Sequence, residues 1–202
     1  MKTIAMYGGS FNPPLNSHFI FAKEILGEFS EIEKIIFVPV NSEYSKRDLA
    51  SNEDRYNMLN LICENETKLE VSKIEIGNGK AIPTIETLET LSKQHPEYDV
   101  CFIIGSDNLK ELYWWARGDE LLEHFKVIVL EREDDNIDEI IQNSEFLKKH
   151  EKSFIKLKKH ERLNISSTII REKINKGEDV TSFMSERVYN YIKSEGLYGY
   201  KK

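Results

Sequence analysis

The chain has 202 residues, 40% of them hydrophobic and 31% charged, with a formal net charge of −7. These values suit one soluble domain, residues 1–202, able to bury its core without staples. The acidic balance argues against a non-specific nucleic-acid binder, which needs a broad basic face; a few cations gathered in a cleft can still hold a nucleotide.

Lys2 to Tyr7 is a short β-branched and aromatic run ending at Gly8-Gly9, the pattern of a strand that enters a loop. Phe19, Ile20, Ala22, Ile25 and Leu26 then recur at helical spacing. Lys34 to Pro39 contains Ile35-Ile36-Phe37-Val38, a continuous apolar run expected of a strand buried on both faces. After a polar loop, Val40 to Ala50, Ser51 and Asp54 form a capping pair for a helix through Met58, Leu59, Leu61 and Ile62. Leu69 to Ile76 carries a weaker strand pattern, and Gly77 to Pro83 is rich in turn residues. Thr84 to Gln94 reads as a helix with Ile85, Leu88 and Leu91 on one stripe. Asp99 to Ile104 and Lys126 to Leu130 read as buried strands, Ile137 to His150 as a helix, and Ser153 to Leu157 as a short strand. Ser167 to Asn175 and Glu186 to Ser194 read as closing helices.

Alternating strands and helices predict an α/β, Rossmann-like doubly wound parallel sheet with right-handed crossovers and helices on both faces. In such sheets ligands collect at the carboxyl ends of the strands. Three strand ends carry unusual chemistry: Gly8 to His18, Pro39 to Lys46, and Gly105 to Asp107. Cys63 and Cys101 lie in apolar segments outside any CxxC pair, as buried thiols of a reducing compartment do. The apolar run at Met1–Tyr7 is too short for a signal peptide, and no stretch is long enough to span a bilayer. The expectation is a cytoplasmic protein with neither membrane nor nucleic-acid partner; self-association is left open.

Gly8-Gly9-Ser10-Phe11-Asn12-Pro13-Pro14-Leu15-Asn16-Ser17-His18 lies between the first strand and the first helix. Two glycines let the backbone turn tightly and approach a phosphate. The helix that follows offers unpaired N–H groups and a positive dipole end, and His18 is placed to donate to a phosphate oxygen. The same residues also suit an ordinary βα loop in which His18 caps or packs. Ile165-Ser166-Ser167-Thr168-Ile169-Ile170-Arg171 precedes a late helix. Its hydroxyls can cap the helix or contact phosphates, and Arg171, one turn in, can grip an anion bidentately; a simple cap with a surface arginine is the alternative. His95, His124, His150 and His160 show no metal-ligand spacing.

Together the two stretches resemble the bacterial nicotinate-nucleotide adenylyltransferases, nucleotidyltransferases with an HxGH-type and an ISSTxxR-type loop. Gly8-Gly9-Ser10-Phe11-Asn12-Pro13 matches the first half of the first loop, His18 its last position, and Ser166-Ser167-Thr168 with Arg171 the second loop. The resemblance implies an adenylyl transfer from ATP to a pyridine mononucleotide, with Mg²⁺ carried in by ATP and no protein metal cage. It implies His18, Lys46 and Arg171 as the catalytic cations and donors. It implies Gly8, Gly9, Ser10, Phe11, Ser166, Ser167 and Thr168 at the ATP phosphates, and Thr84, Asp107 and Trp115 at the mononucleotide. Trp115 would stack on the pyridine, with Trp114 beside it as the candidate for packing.

The chain departs from the family at four positions. Leu15 stands where a histidine is usual, so one phosphate donor is missing; Ser17 replaces a glycine, Ser45 a histidine, and Gly118 a second tryptophan. These departures keep two alternatives open: a related transferase with another phosphorylated acceptor, and a nucleotide-binding homologue that has lost catalysis.

Overall fold

Apolar runs of β-branched residues become strands and the 3.6-residue stripes become helices. The computed structural model describes residues 2–43, 49–131, 135–157 and 165–200. In chain order these form β1 (Thr3–Gly9), α1 (Asn16–Glu28), β2 (Ile32–Pro39), α2 (Asn52–Cys63), β3 (Leu69–Val71), α3 (Thr84–Gln94), β4 (Asp99–Gly105), α4 (Ser106–Glu111), α5 (Gly118–His124), β5 (Lys126–Leu130), α6 (Ile137–Gln142), α7 (Glu145–Lys149), β6 (Phe154–Lys156), α8 (Ser167–Lys176) and α9 (Glu186–Glu195). The strands lie in one sheet in the order β3-β2-β1-β4-β5-β6. β1 pairs with β4, β4 with β5 and β5 with β6, all in parallel, with Thr3 opposite Asp99, Cys101 opposite Lys126 and Val127 opposite Phe154. The fold is α/β and Rossmann-like. The strand order reverses between β1 and β4, which end at Gly9 and Gly105; that reversal is where open α/β sheets bind ligands.

Three sequence expectations are corrected. The helix expected over Ile137 to His150 is two helices, because Asn143 closes α6 and the Ser144 hydroxyl then accepts the Leu147 N–H and starts α7. Short polar side chains compete with the helical backbone for its own N–H groups, so such a pair interrupts a helix whose apolar stripe continues. The strand expected over Leu69 to Ile76 ends at Val71, and the Gly77 N–H turns back onto the Lys73 carbonyl at 2.7 Å. The helices α4 and α5 sit where no helix was expected; at six and seven residues they are too short to show a stripe.

By density of contacts the chain divides into two units. The first comprises Met1–Gly8, Glu24–Ile35 and Ile82–Asn164; the second comprises Gly9–Lys23, Ile36–Ala81 and Ile165–Lys202. The first is built on β4 and β5, buried along almost their whole length, with Ile85, Leu88 and Leu91 of α3 and Leu121 and Leu122 of α5. The second has an apolar cluster joining Leu15, Met58, Ile170, Ile174, Val188 and Ile192. Each such side chain contributes about 1.5–3 kcal/mol on burial. Among the described residues no helix is long and apolar enough to cross a membrane.

Candidate active site

In the second unit, two loops far apart in sequence are bonded to each other. The first leaves β1 at Gly9, whose carbonyl accepts the Val40 N–H at 3.0 Å. Phe11 takes a left-handed backbone, φ 45°, and its ring folds back so closely that a Cβ on Gly9 would lie 3.1 Å from it. A side chain at position 9 would therefore press on the Phe11 ring, which would have to give by a few tenths of an ångström. The Phe11 ring is buried edge-on against Phe37 and His18, at centroid distances of 5.5 and 5.2 Å. Phe11 thus props the loop from beneath, and what it can offer a ligand is backbone.

His18 is in the first turn of α1, half-buried. Its Nδ1 accepts the Leu15 N–H at 2.9 Å. An acceptor at Nδ1 puts the proton of the neutral ring on Nε2, which makes that nitrogen a donor. The second loop meets the first directly. Ser166 caps α8 by accepting the Ile169 N–H; the Ser167 hydroxyl donates to the Pro13 carbonyl at 2.9 Å; Arg171 Nη1 donates to the Asn12 carbonyl at 2.9 Å. Arg171 Nη2 also reaches the Thr168 hydroxyl at 3.3 Å. Thr168 and Arg171 line a cavity of about 780 Å³, together with Leu49, Ala50, Lys176 and Tyr198. Lys46 lies outside the described residues, as does Ser45.

The loops are held from behind by Arg55, which is 0% exposed. Its guanidinium donates to four neutral carbonyl oxygens: Ser10 O at 2.9 Å, Val40 O at 2.7 Å, Ala50 O at 3.1 Å and Asn52 Oδ1 at 2.7 Å. Burial pulls the Arg55 pKa down from its ordinary value, opposed by Tyr198 and Glu75. Asn12, 1% exposed, continues the tie: its Oδ1 accepts the Ala50 N–H at 3.0 Å and the Tyr198 hydroxyl at 2.9 Å. Sequence reasoning passed over Arg55 as an anchor. One signal was available, since Arg55, Met58, Leu59 and Cys63 share the buried stripe of α2 and a cation there must be bonded.

Leu15, at the position of the family's first histidine, is 1% exposed and belongs to the apolar cluster with Met58 and Ile170. A residue there packs, which is why leucine serves. Ser17 is buried too, at 7% exposure.

The expected mononucleotide residues are in the first unit, with Gly8. Thr84 opens α3 just after Pro83, and Asp107 is an exposed residue in the first turn of α4. The Trp115 ring is half-buried beside Phe102, 6.4 Å between centroids, while Trp114 is 76% exposed and lies against Tyr113. Of the two tryptophans, Trp114 is the exposed one. The turn carrying Trp115 is pinned by Arg117, left-handed at φ 57°, which donates to Glu89 and Glu120 at 2.7 Å each. Gly118 follows from that turn: a Cβ would lie 2.9 Å from the Leu112 carbonyl oxygen, so this backbone has no room for the tryptophan usual in the family. Among the described residues, no group of three or more His, Cys, Asp or Glu side chains could hold a metal ion.

The sequence model of the cytidylyltransferase-like family matches residues 6–173. Over 201 residues the chain is 37% identical to a Clostridium tetani protein named "probable nicotinate-nucleotide adenylyltransferase", a match covering 98% of this chain and 100% of that protein. A Caldicellulosiruptor bescii protein of the same name is 36% identical over 196 residues, 96% of this chain and 98% of its own length. Among solved structures, the Plasmodium falciparum nicotinic acid mononucleotide adenylyltransferase complexed with NaAD matches with a TM-score of 0.81 at 26% identity, covering 100% of this chain and 99% of that one.

Two variants test this geometry. Arg55→Met strands the Ser10, Val40 and Ala50 carbonyls, at about 1–3 kcal/mol for each buried acceptor left unpaired. Urea unfolding should register that loss, and an unchanged midpoint would show that the clamp holds nothing. Leu15→His buries an imidazole among apolar side chains and is expected to cost about 1–3 kcal/mol. A thermal midpoint equal to that of the unaltered protein would contradict the seating of Leu15 in the core.

Proposed function

The chain belongs to the cytidylyltransferase-like family, and from that premise we propose that it transfers AMP from ATP to nicotinate mononucleotide, giving deamido-NAD and pyrophosphate. The name shared by its near-full-length relatives supports this acceptor. The observation that carries the reading is the direct bonding of the two loops, Arg171 to Asn12 and Ser167 to Pro13. It joins the guanidinium and the N-terminus of α8 to the loop that ends at His18.

The reaction needs no covalent enzyme intermediate. A 5′-phosphate oxygen of the mononucleotide attacks the α-phosphorus of ATP. A P–O bond forms there as the bond to the α,β-bridging oxygen breaks, and that electron pair leaves with pyrophosphate. Positioning and charge neutralisation do most of the work. His18, with its proton on Nε2, donates to an α-phosphate oxygen as charge builds on it. Two of Arg171's five N–H groups are engaged among the described residues; the others, with Lys46, neutralise the β- and γ-phosphates. Backbone N–H groups after Gly9 and at Ser167 and Thr168 complete the cradle at the positive end of α8. Thr84, Asp107 and Trp115 hold the mononucleotide. ATP enters as its magnesium complex, the cation held by phosphate oxygens and water. Residues 1–202 act as one transferase domain in this reading, which the family match across both units supports.

The test is direct. Purified protein is incubated with magnesium ATP and, separately, nicotinate, nicotinamide and other mononucleotides, and products are identified by mass. Deamido-NAD with equimolar pyrophosphate is the expected result. A dinucleotide formed only from another acceptor would replace the substrate, and ATP binding without pyrophosphate release would replace catalysis with binding. His18→Ala is expected to lower turnover by at least about 10²-fold, with the fold retained and the thermal midpoint lowered only by the lost bond to the Leu15 N–H. Turnover near that of the unaltered protein would remove His18 from the mechanism.

A further inference from the structure

Among the described residues, three that are not glycine have positive φ: Phe11, Arg117 and Tyr198. Such conformations cost a residue with a Cβ free energy and persist where the surroundings impose them. Phe11 and Arg117 lie in the segments already described. Tyr198, φ 57°, is in the short turn Leu197–Gly199 that follows α9, and neither the motifs nor the proposed reaction uses it.

Its surroundings give it a role. The Tyr198 hydroxyl donates to Asn12 Oδ1 at 2.9 Å across 186 residues of sequence. Asn12 is the junction of the first loop: the same Oδ1 accepts the Ala50 N–H, and its carbonyl accepts Arg171 Nη1. Leu197 and Tyr198 also line the cavity shared with Thr168 and Arg171. Burial pushes the Tyr198 phenol well above its ordinary pKa, so it remains a donor throughout the neutral range.

We propose that Tyr198 is a positioning residue for the triphosphate end of the site, acting through Asn12 on Arg171 and bounding the same cavity with its ring. This rests on the functional reading above. With the hydroxyl in place, Asn12 is held by two donors and presents its carbonyl to Arg171 at a set angle. Without it, that tie on Asn12 is lost, and the carbonyl that receives the guanidinium is held less firmly. Misplacement of a charge-neutralising group slows the chemical step more than it weakens binding.

Tyr198→Phe removes the hydroxyl and keeps the ring. It is expected to lower kcat about tenfold, with the KM for the mononucleotide unchanged and the thermal midpoint lowered by no more than one lost hydrogen bond. Tyr198→Phe placed on Asn12→Ala is expected to add no further loss, because the two act through one bond. Unchanged kcat in Tyr198→Phe would overturn the proposal, as would a lowered midpoint with normal kcat, or fully additive losses in the double variant. Failure of the functional reading is seen separately, as absence of dinucleotide from the unaltered protein. In that case calorimetric titration with magnesium ATP decides: a Kd raised about threefold or more in Tyr198→Phe supports the role, and an equal Kd overturns it.

Discussion

A buried guanidinium cannot be left unpaired, and Arg55 meets that requirement by joining three pieces of backbone at one planar group. Its donors reach Ser10 after β1, Val40 after β2, and Ala50 before α2. A desolvated cation is costly unless its donors are used. The three segments must therefore stay within reach of one planar group, and their relative positions are set to within hydrogen-bond tolerance. Among the described residues, every donor proposed for the phosphates in this unit lies on, or is bonded to, a segment positioned in this way. Asn12 extends the restraint from Ala50 to Tyr198 and Arg171, and Ser167 closes it on Pro13.

The same network explains how an acidic chain can accept a polyanion. The net charge of −7 describes the molecule seen from a distance, where salt screens it within about 10 Å. At the cavity, the local groups are Arg171 and Lys176, opposed by Glu172, together with the positive end of α8 at Thr168. Backbone dipoles and a few oriented cations decide the local potential there. Arg55 offers that cavity no donor, because its N–H groups go to carbonyl oxygens behind the loops, but those neutral acceptors leave its charge in place and it still acts on Tyr198 in the lining.

Departures from the family pattern also have local physical causes. Leu15 and Gly118 each replace a polar or aromatic side chain, and each does so where space or solvation decides. Leu15 contributes to the cluster that seats α8 and α9. Gly118 faces a carbonyl oxygen too close for any Cβ, next to a turn that Arg117 pins with two carboxylates. The aromatic surface near this turn is supplied instead by Trp115 against Phe102 and by the exposed pair Tyr113 and Trp114.

Periodicity and punctuation along the chain were sufficient for the main strands and long helices, the α/β class, the Ser51 and Ser166 caps, and the two loops that carry His18 and Arg171. Those features depend on neighbours a few residues away, so their causes are written locally. The break at Asn143–Ser144 and the short helices α4 and α5 were less legible, because a stripe needs more turns than they have. Long-range bonding was not legible at all. That Arg55 is buried, that Leu15 packs, and that Asn12 joins Arg171 to Tyr198 all follow from contacts between residues distant in sequence. Only the folded chain brings those groups together, since the free energy that selects each partner is desolvation, and desolvation exists only once the interior has closed.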